Sequence, residues 1–178
     1  MAVFEKLFRR APDPRDALRP LWHAIVARAR AEHWYTDGAV PDTIDGRFDM
    51  VALVLALVLL RIEEAPEHAR DGVLLTEIFV DDMDGQMRQI GFGDMIVGKQ
   101  IGQIMSALGG RLGAYRDGAD DPAAMQAALL RNLYRGEATA ADAIAHVMAK
   151  AAALRAALAA MPVTVLLASD HLPGQSAA

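Results

Sequence analysis

Residues 50–60 are eleven consecutive apolar side chains, and this run constrains the fold more than any other feature of the chain. A bilayer-spanning helix takes about 20 apolar residues, so the run is too short to cross a membrane. A segment that is apolar on every side must be covered on every side. Val51, Val54 and Val58 have strand preference, which makes a buried strand the competing reading. Leu53, Leu55, Leu57, Leu59, Ala52 and Ala56, with no period-two segment nearby to pair with, favour a central helix over residues 47–64.

The remaining segments carry the spacing of helices that can cover it. From 15 to 33, Leu18, Leu21, Trp22, Ile25, Val26 and Ala29 follow an i, i+3, i+4, i+7 stripe. Pro66 suits a first helical position and opens a helix to about residue 90, with Leu75, Ile78, Phe79, Met83, Met87 and Ile90 as its apolar face. Gly91-Phe92-Gly93 stops it. Asp94 can cap the next helix, to about residue 115, which buries Val97, Ile101, Ile104, Met105, Leu108, Leu112 and Tyr115. Asp121-Pro122 pairs a cap with an N1 proline and starts a helix to about residue 135, ended by Gly136. Thr139 leads an alanine-rich helix with Ile144, Val147, Met148, Ala151, Leu154 and Leu158 on one face, stopped by Pro162. A docked apolar cluster at 163–167 and a frayed end follow. The expected fold is all-α: one compact domain of six or seven helices around a buried central helix. Its expected divisions are an amphipathic N-terminal segment at 1–12, a helical domain at 13–170 and a flexible tail at 171–178.

Composition narrows the function classes. A net charge of −5 argues against nucleic acid, because phosphate binding needs concentrated cation. The absence of cysteine removes disulfides, thiolate metal sites and cysteine nucleophiles together. Phe4, Leu7 and Phe8 stand beside Lys6, Arg9 and Arg10, which suits either a first helix packed on the domain or contact with a membrane surface. The opening residues lack the uninterrupted apolar core of a secretory signal. The expected location is cytoplasmic, with peripheral contact at the inner membrane as its variant.

Candidate chemistry is sparse. Asp81, Asp82 and Asp84 form the densest acidic cluster. At about 100° per residue Asp81 and Asp84 share the polar face with Glu77 and Arg88, whereas Asp82 falls within the apolar stripe. A buried carboxylate needs a cationic or backbone partner, and Arg47, Lys99 and Arg111 are candidates. An enzyme reading makes the cluster a Mg²⁺–carboxylate site acting on an isoprenoid or quinone-like substrate, with Asp37, Asp42, Asp45 and Asp49 as its second acidic group. The Asp82-x-Asp84-Gly85 spacing lacks the later Glu of a calcium loop. The five histidines show no close metal-ligand spacing, the serines lack a nucleophile elbow, and Gly91-x-Gly93 follows no strand. No catalytic residue, metal or cofactor is therefore assigned.

The helix at 94–115 is unusual for its glycines. Gly98, Gly102, Gly109 and Gly113 project to one flank, with Gly110 further round. Each costs a helix interior roughly 0.5–1 kcal/mol relative to alanine. Such a flank suits either a close intramolecular crossing or a groove for a partner's helix. Met83, Met87, Met95 and Met105 suit an adaptable apolar surface or simple core filling.

The richest segment is Trp34-Tyr35-Thr36-Asp37-Gly38-Ala39-Val40-Pro41-Asp42-Thr43-Ile44-Asp45-Gly46-Arg47-Phe48-Asp49, which feeds directly into the apolar run. It resembles the hallmark segment of the ubiquinol–cytochrome c chaperone family. Phe79-Val80-Asp81-Asp82-Met83-Asp84, Gly91-Phe92-Gly93-Asp94 and Val97-Gly98-Lys99 are similar to that family's second region, and Arg111-Leu112, Tyr115 and Arg131-Asn132-Leu133-Tyr134 extend the likeness. The resemblance implies an all-helical, noncatalytic assembly chaperone of bacterial type. It would bind newly made cytochrome b and support biogenesis of the respiratory ubiquinol–cytochrome c reductase. Mitochondrial members act with a small assembly partner near the ribosome.

The candidate partner-binding residues are Trp34, Tyr35, Asp37, Asp42, Asp45, Arg47, Asp49, Asp81, Asp84, Gly98, Lys99 and Gly102. Their acids suit the Lys- and Arg-rich loops that flank transmembrane helices on the cytoplasmic side. The competing reading of the four hallmark aspartates is that they cap helices and fix the connection.

Overall fold

The computed structural model describes residues 13–89 and 94–174, and side chains at all of these except 87–89 and 94–101. The segment 1–12 and the break at Gly91-Phe92-Gly93 lie outside the described residues, as do the side chains of Met87, Ile90, Met95, Val97, Lys99 and Ile101.

Among the described residues seven α-helices follow in order: α1 Arg19–Ala29, α2 Ile44–Glu63, α3 Ala69–Gln89, α4 Asp94–Asp117, α5 Pro122–Asn132, α6 Ala141–Ala159 and α7 Val163–Leu167. Short 3-10 turns at Pro14–Leu18, Glu32–Trp34 and Pro66–His68 precede α1, follow it and precede α3. Among the described residues there is no strand. The expected all-α single domain is what forms.

Helix α2 is the centre of the bundle. It packs against α1, α3, α4 and α6, so each side of the apolar run meets a different neighbour. Every residue from 49 to 59 is buried, as the all-round apolar pattern requires. A fully buried Leu, Ile, Val or Met contributes about 1.5–3 kcal/mol of transfer free energy, so this run is the largest local contributor to the core. Aromatic rings close one end of it. Phe79 of α3 meets Trp22 of α1 edge-on at 5.9 Å between centroids and Phe48 of α2 at the same separation.

Capping chemistry places several boundaries. The sequence suggests a start for α2 near residue 47, but the helix begins three residues earlier. Thr43 is extended, and its hydroxyl accepts from the Gly46 N–H at 3.1 Å, which makes it the cap. Asp121 caps α5 by accepting from the Ala123 and Ala124 N–H groups, with Pro122 first in the helix. At α6 the expected Thr139 lead gives way to Ala140 as a cap without a side-chain bond, and the Thr139 hydroxyl donates to the Glu137 carbonyl instead. The single long helix expected over 15–33 is divided. Its regular part is α1, and the chain tightens into 3-10 turns at either end.

The C-terminal elements are tied to the bundle. Arg61 of α2 donates to the carbonyls of Leu158 and Met161 at 3.0 and 2.8 Å, holding the end of α6 and the turn into α7. Leu172 is fully buried, and Arg28 reaches the Gly174 carbonyl at 3.2 Å. The described part of the expected tail is thus held against α1.

Candidate functional site

The segment between α1 and α2 folds into a connection whose backbone packs tightly. The Trp34 indole is 1% exposed and donates to the Arg28 carbonyl at 2.8 Å. The half-buried Tyr35 donates from its hydroxyl to the Ala29 carbonyl at 2.9 Å. These two aromatics anchor the end of α1. A Cβ added at Gly38 would lie 2.5 Å from the Trp34 carbonyl oxygen and 2.7 Å from Val147 of α6. One added at Gly46 would lie 1.9 Å from the Pro41 carbonyl oxygen. Both Asp-Gly steps are therefore places where backbone approaches backbone or core too closely for a side chain.

Beneath the connection lies one buried acid. Asp49 is fully buried, and its two carboxylate oxygens accept from different arginines, Arg111 Nη2 at 2.5 Å and Arg135 Nε at 2.7 Å. Arg135 also reaches Asp45 at 2.7 Å, so one guanidinium spans both acids at the start of α2. Burial pushes the Asp49 carboxyl above its ordinary range, opposed by its bonds to Arg135 and Arg111. Its bond to Asp49 raises Arg135 in turn. Arg135 adopts a left-handed backbone at φ 54, a conformation unusual for a residue with a side chain, and Gly136 follows at φ 80. This pair of left-handed residues turns the chain after α5 so that the guanidinium faces α2. Arg111 also lies over the Phe48 ring, 5.5 Å from its centroid. The Tyr134 hydroxyl donates to the Gly38 carbonyl at 2.6 Å.

The sequence blocks at 34–49, 111–115 and 131–134 are therefore neighbours in space, and Arg135 follows directly on the third. Asp49 sits between the first block and the other two. Its burial was not evident from its place beside the turn residues; the signal was its position one residue ahead of the apolar run.

What remains exposed on the connection is a row of charges. Asp37, Asp42, Asp45 and Arg47 are exposed. Arg47 and Asp42 pair at 2.6 Å, which holds the Asp42 carboxyl below its ordinary range. On α3, Asp81 pairs with Arg15 at 2.7 Å across an exposed surface. Asp82 is half-buried rather than enclosed, and its hydrogen bond comes from Gln86 at 3.0 Å. Of the three cations expected to neutralise it, Arg47 is committed to Asp42 and Arg111 to Asp49, and the Lys99 side chain lies outside the described residues. Asp84 is half-buried on the same helix. Among the described residues no three His, Asp or Glu side chains converge to hold a metal ion, so the magnesium alternative has no ligand set there.

The glycine flank of α4 differs from the expected close crossing. A Cβ added at Gly102, Gly109, Gly110 or Gly113 would meet nothing within 4 Å. The core-facing side chains are Ile104, Leu108 and Tyr115, and the glycines lie round the helix from them. At these four glycines no neighbour packs against α4. Gly98 lies within α4.

Beside that flank opens a groove of about 850 Å³ between the C-terminal end of α2, α3 and α4. Its walls include Leu59, Ile62, Val73, Val80, Met105 and Leu112, and Arg15, Glu63, Glu77 and Asp81 stand at its edge. The sequence suggested a partner-receiving groove along the α4 glycine flank, but not the α2 and α3 walls of this one. The available signal was Val73, an apolar residue on the side of α3 away from the Leu75–Phe79 stripe.

Comparison with known proteins follows the same blocks. A solved crystal structure of the Cbp3 homolog from Brucella abortus matches this fold with a TM-score of 0.79 and 28% sequence identity, over 96% of this chain and 95% of that one. No curated protein sequence matches. The family model described as ubiquinol-cytochrome C chaperone matches residues 36–171, which contain the hallmark aspartates, Arg111 and the Arg135 turn alike. By that match over most of its length, the chain belongs to the ubiquinol–cytochrome c chaperone family.

Proposed function

We propose that this protein is a noncatalytic assembly chaperone that binds newly made cytochrome b during biogenesis of the ubiquinol–cytochrome c reductase. The observation that carries the reading is the division of labour within the family-matched region. Trp34, Tyr35, Gly38, Gly46 and Asp49 are used up in holding the connection rigid, while Asp37, Asp42, Asp45 and Arg47 are left at the surface. A rigid, charged surface on a molecule that also carries an apolar groove is suited to holding a client. Exposed acids complement the Lys and Arg residues that concentrate in cytoplasmic loops next to transmembrane helices. Asp81, Asp84 and the α4 flank around Gly98, Lys99 and Gly102 extend this client-facing surface in the proposal. No helix among the described residues is long and apolar enough to cross a membrane.

Deletion in the native host tests the role. Loss of the chain should lower assembled ubiquinol–cytochrome c reductase and shorten the lifetime of cytochrome b, with transcript unchanged. Normal reductase content and normal cytochrome b turnover in the deletion strain would rule the role out.

A further inference from the structure

We propose that the groove between α2, α3 and α4 receives an apolar helix with basic residues at its end, supplied by the client. This inference rests on the client-binding reading above and locates the site within it.

Three observations converge on that occupant. Val73 on α3 is 60% exposed and Met105 on α4 is 43% exposed, and both stand in the walls of the same groove. Large apolar side chains left in water along two neighbouring helices mark a surface that another apolar element covers. A pocket for a small ligand encloses most of it, whereas Val73 and Met105 on these walls are left in part to water. The wall from Ala69 to Val80 runs about 16 Å, three turns of helix, which matches a helix laid lengthwise.

The charges at the edge set the flanks. Glu63, Glu77 and Asp81 stand there with Arg15, and Arg15 is already engaged by Asp81 at 2.7 Å. Glu63 pairs with Arg116 at 2.6 Å in an exposed position. Arg15 is also held by Asp13 at 2.7 Å, so Asp81 can release it at little cost, and the half-exposed Glu63–Arg116 pair can exchange partners likewise. Glu77 is also exposed, so the edge presents more acid than base to an incoming chain. A helix whose end carries Lys or Arg complements it, and an acidic helix does not.

The α4 glycines supply the third observation. Gly102 and Gly109 lie one turn either side of Met105, and nothing approaches within 4 Å of a Cβ placed on them. Beside the groove, α4 therefore offers bare backbone over which a helix can pass closely.

The test places a photo-crosslinking residue at position 73, at 105, or at 165 as a control. Val165 is 54% exposed and belongs to α7, away from the groove. With the full chain expressed at native level, positions 73 and 105 should crosslink to cytochrome b and 165 should not. Met105→Glu and Glu77→Lys should each lower recovered cytochrome b roughly tenfold, a loss near 1.4 kcal/mol. Their melting temperatures should stay at the wild-type value, because both positions are exposed. Cytochrome b recovered with crosslinks only at 165, or undiminished by both variants, would overturn the groove while leaving the client reading standing. Crosslinks from 73 and 105 to residues 1–12 of the same chain, or to a second copy, would replace the occupant. Failure of the wild-type chain to recover cytochrome b would remove both readings together.

Discussion

The carboxylate of Asp49 and the guanidinium of Arg111 meet at 2.5 Å with the carboxylate wholly shielded from solvent, although 62 residues of chain separate them. The contact ties the start of the central helix to α4, and Arg135 fastens the same acid to the turn after α5. The connection between α1 and α2 is braced by this three-residue arrangement. Cutting one partner from a buried pair leaves a charge without compensation, which costs about 3–5 kcal/mol.

Asp49→Ala should therefore destabilise the fold by about that much and leave Arg111 and Arg135 repelling each other. Chemical denaturation checks it. Burial raises the Asp49 carboxyl in the fold, so its ionisation opposes folding as pH rises through the folded value, and its own stabilising contribution is fully present only below the ordinary carboxylate range. The network is thus a device for fixing geometry, and acidification alone should not undo it through Asp49.

Two glycine-to-alanine changes should have opposite signs. At Gly46 the new Cβ would meet the Pro41 carbonyl oxygen, so Gly46→Ala should cost about 3 kcal/mol, the upper end of overpacking. At Gly109 it would meet nothing within 4 Å, so Gly109→Ala should stabilise α4 by roughly 0.5–1 kcal/mol. Thermal melting of the two variants side by side reads both. A large loss at Gly109 would show a close neighbour on that flank.

Acid should loosen the contact between the 3-10 turn at Glu32–Trp34 and α6. His33 Nδ1 and His146 Nε2 lie 3.1 Å apart. Burial, then Arg28, His146 and Lys150, push His33 below its ordinary value, with Asp37 acting the other way. A depressed histidine is neutral in the fold while the unfolded chain already takes up a proton. Stability should then fall as pH drops from the ordinary value of 6.5 through the lower folded one. The melting temperature should drop as pH falls below about 6.5, and His33→Gln should shrink that drop.

The surface charges of the connection separate binding from folding. Asp42 and Arg47 are both more than half exposed, at 59% and 58% of their side chains. Exposed pairs of this kind contribute little to stability. Asp37→Ala combined with Asp42→Ala and Arg47→Ala should keep the helical signal and melting temperature and lower cytochrome b recovery. Loss of folding in this triple variant would make the segment a scaffold instead.

Much of the fold was legible because its signals are local. The apolar run at 50–60 names the central helix, and Asp121-Pro122 and Gly136 mark the limits of the α5 region through capping and left-handed geometry. The start of α2 was missed because Thr43 competes with Asp45 as a cap, and only the extended backbone at Thr43 decides between them. The site was less legible because its logic is long-range. Nothing near Asp49 in sequence shows that Arg111 and Arg135 converge on it. Nothing near Asp82 shows that Gln86, one turn along the same helix, is its hydrogen-bond donor. The α4 glycines suggested a crossing helix, but helical phase alone does not reveal whether a neighbour occupies that flank.

The most direct test of the chaperone account follows newly made cytochrome b through time. Proteins in the native host are pulse-labelled, and the tagged chain is recovered at intervals during a chase. The account predicts labelled cytochrome b with the chain at the earliest times, declining as label appears in assembled ubiquinol–cytochrome c reductase. Labelled cytochrome b that reaches the assembled enzyme at the normal rate without ever being recovered with the chain would contradict it.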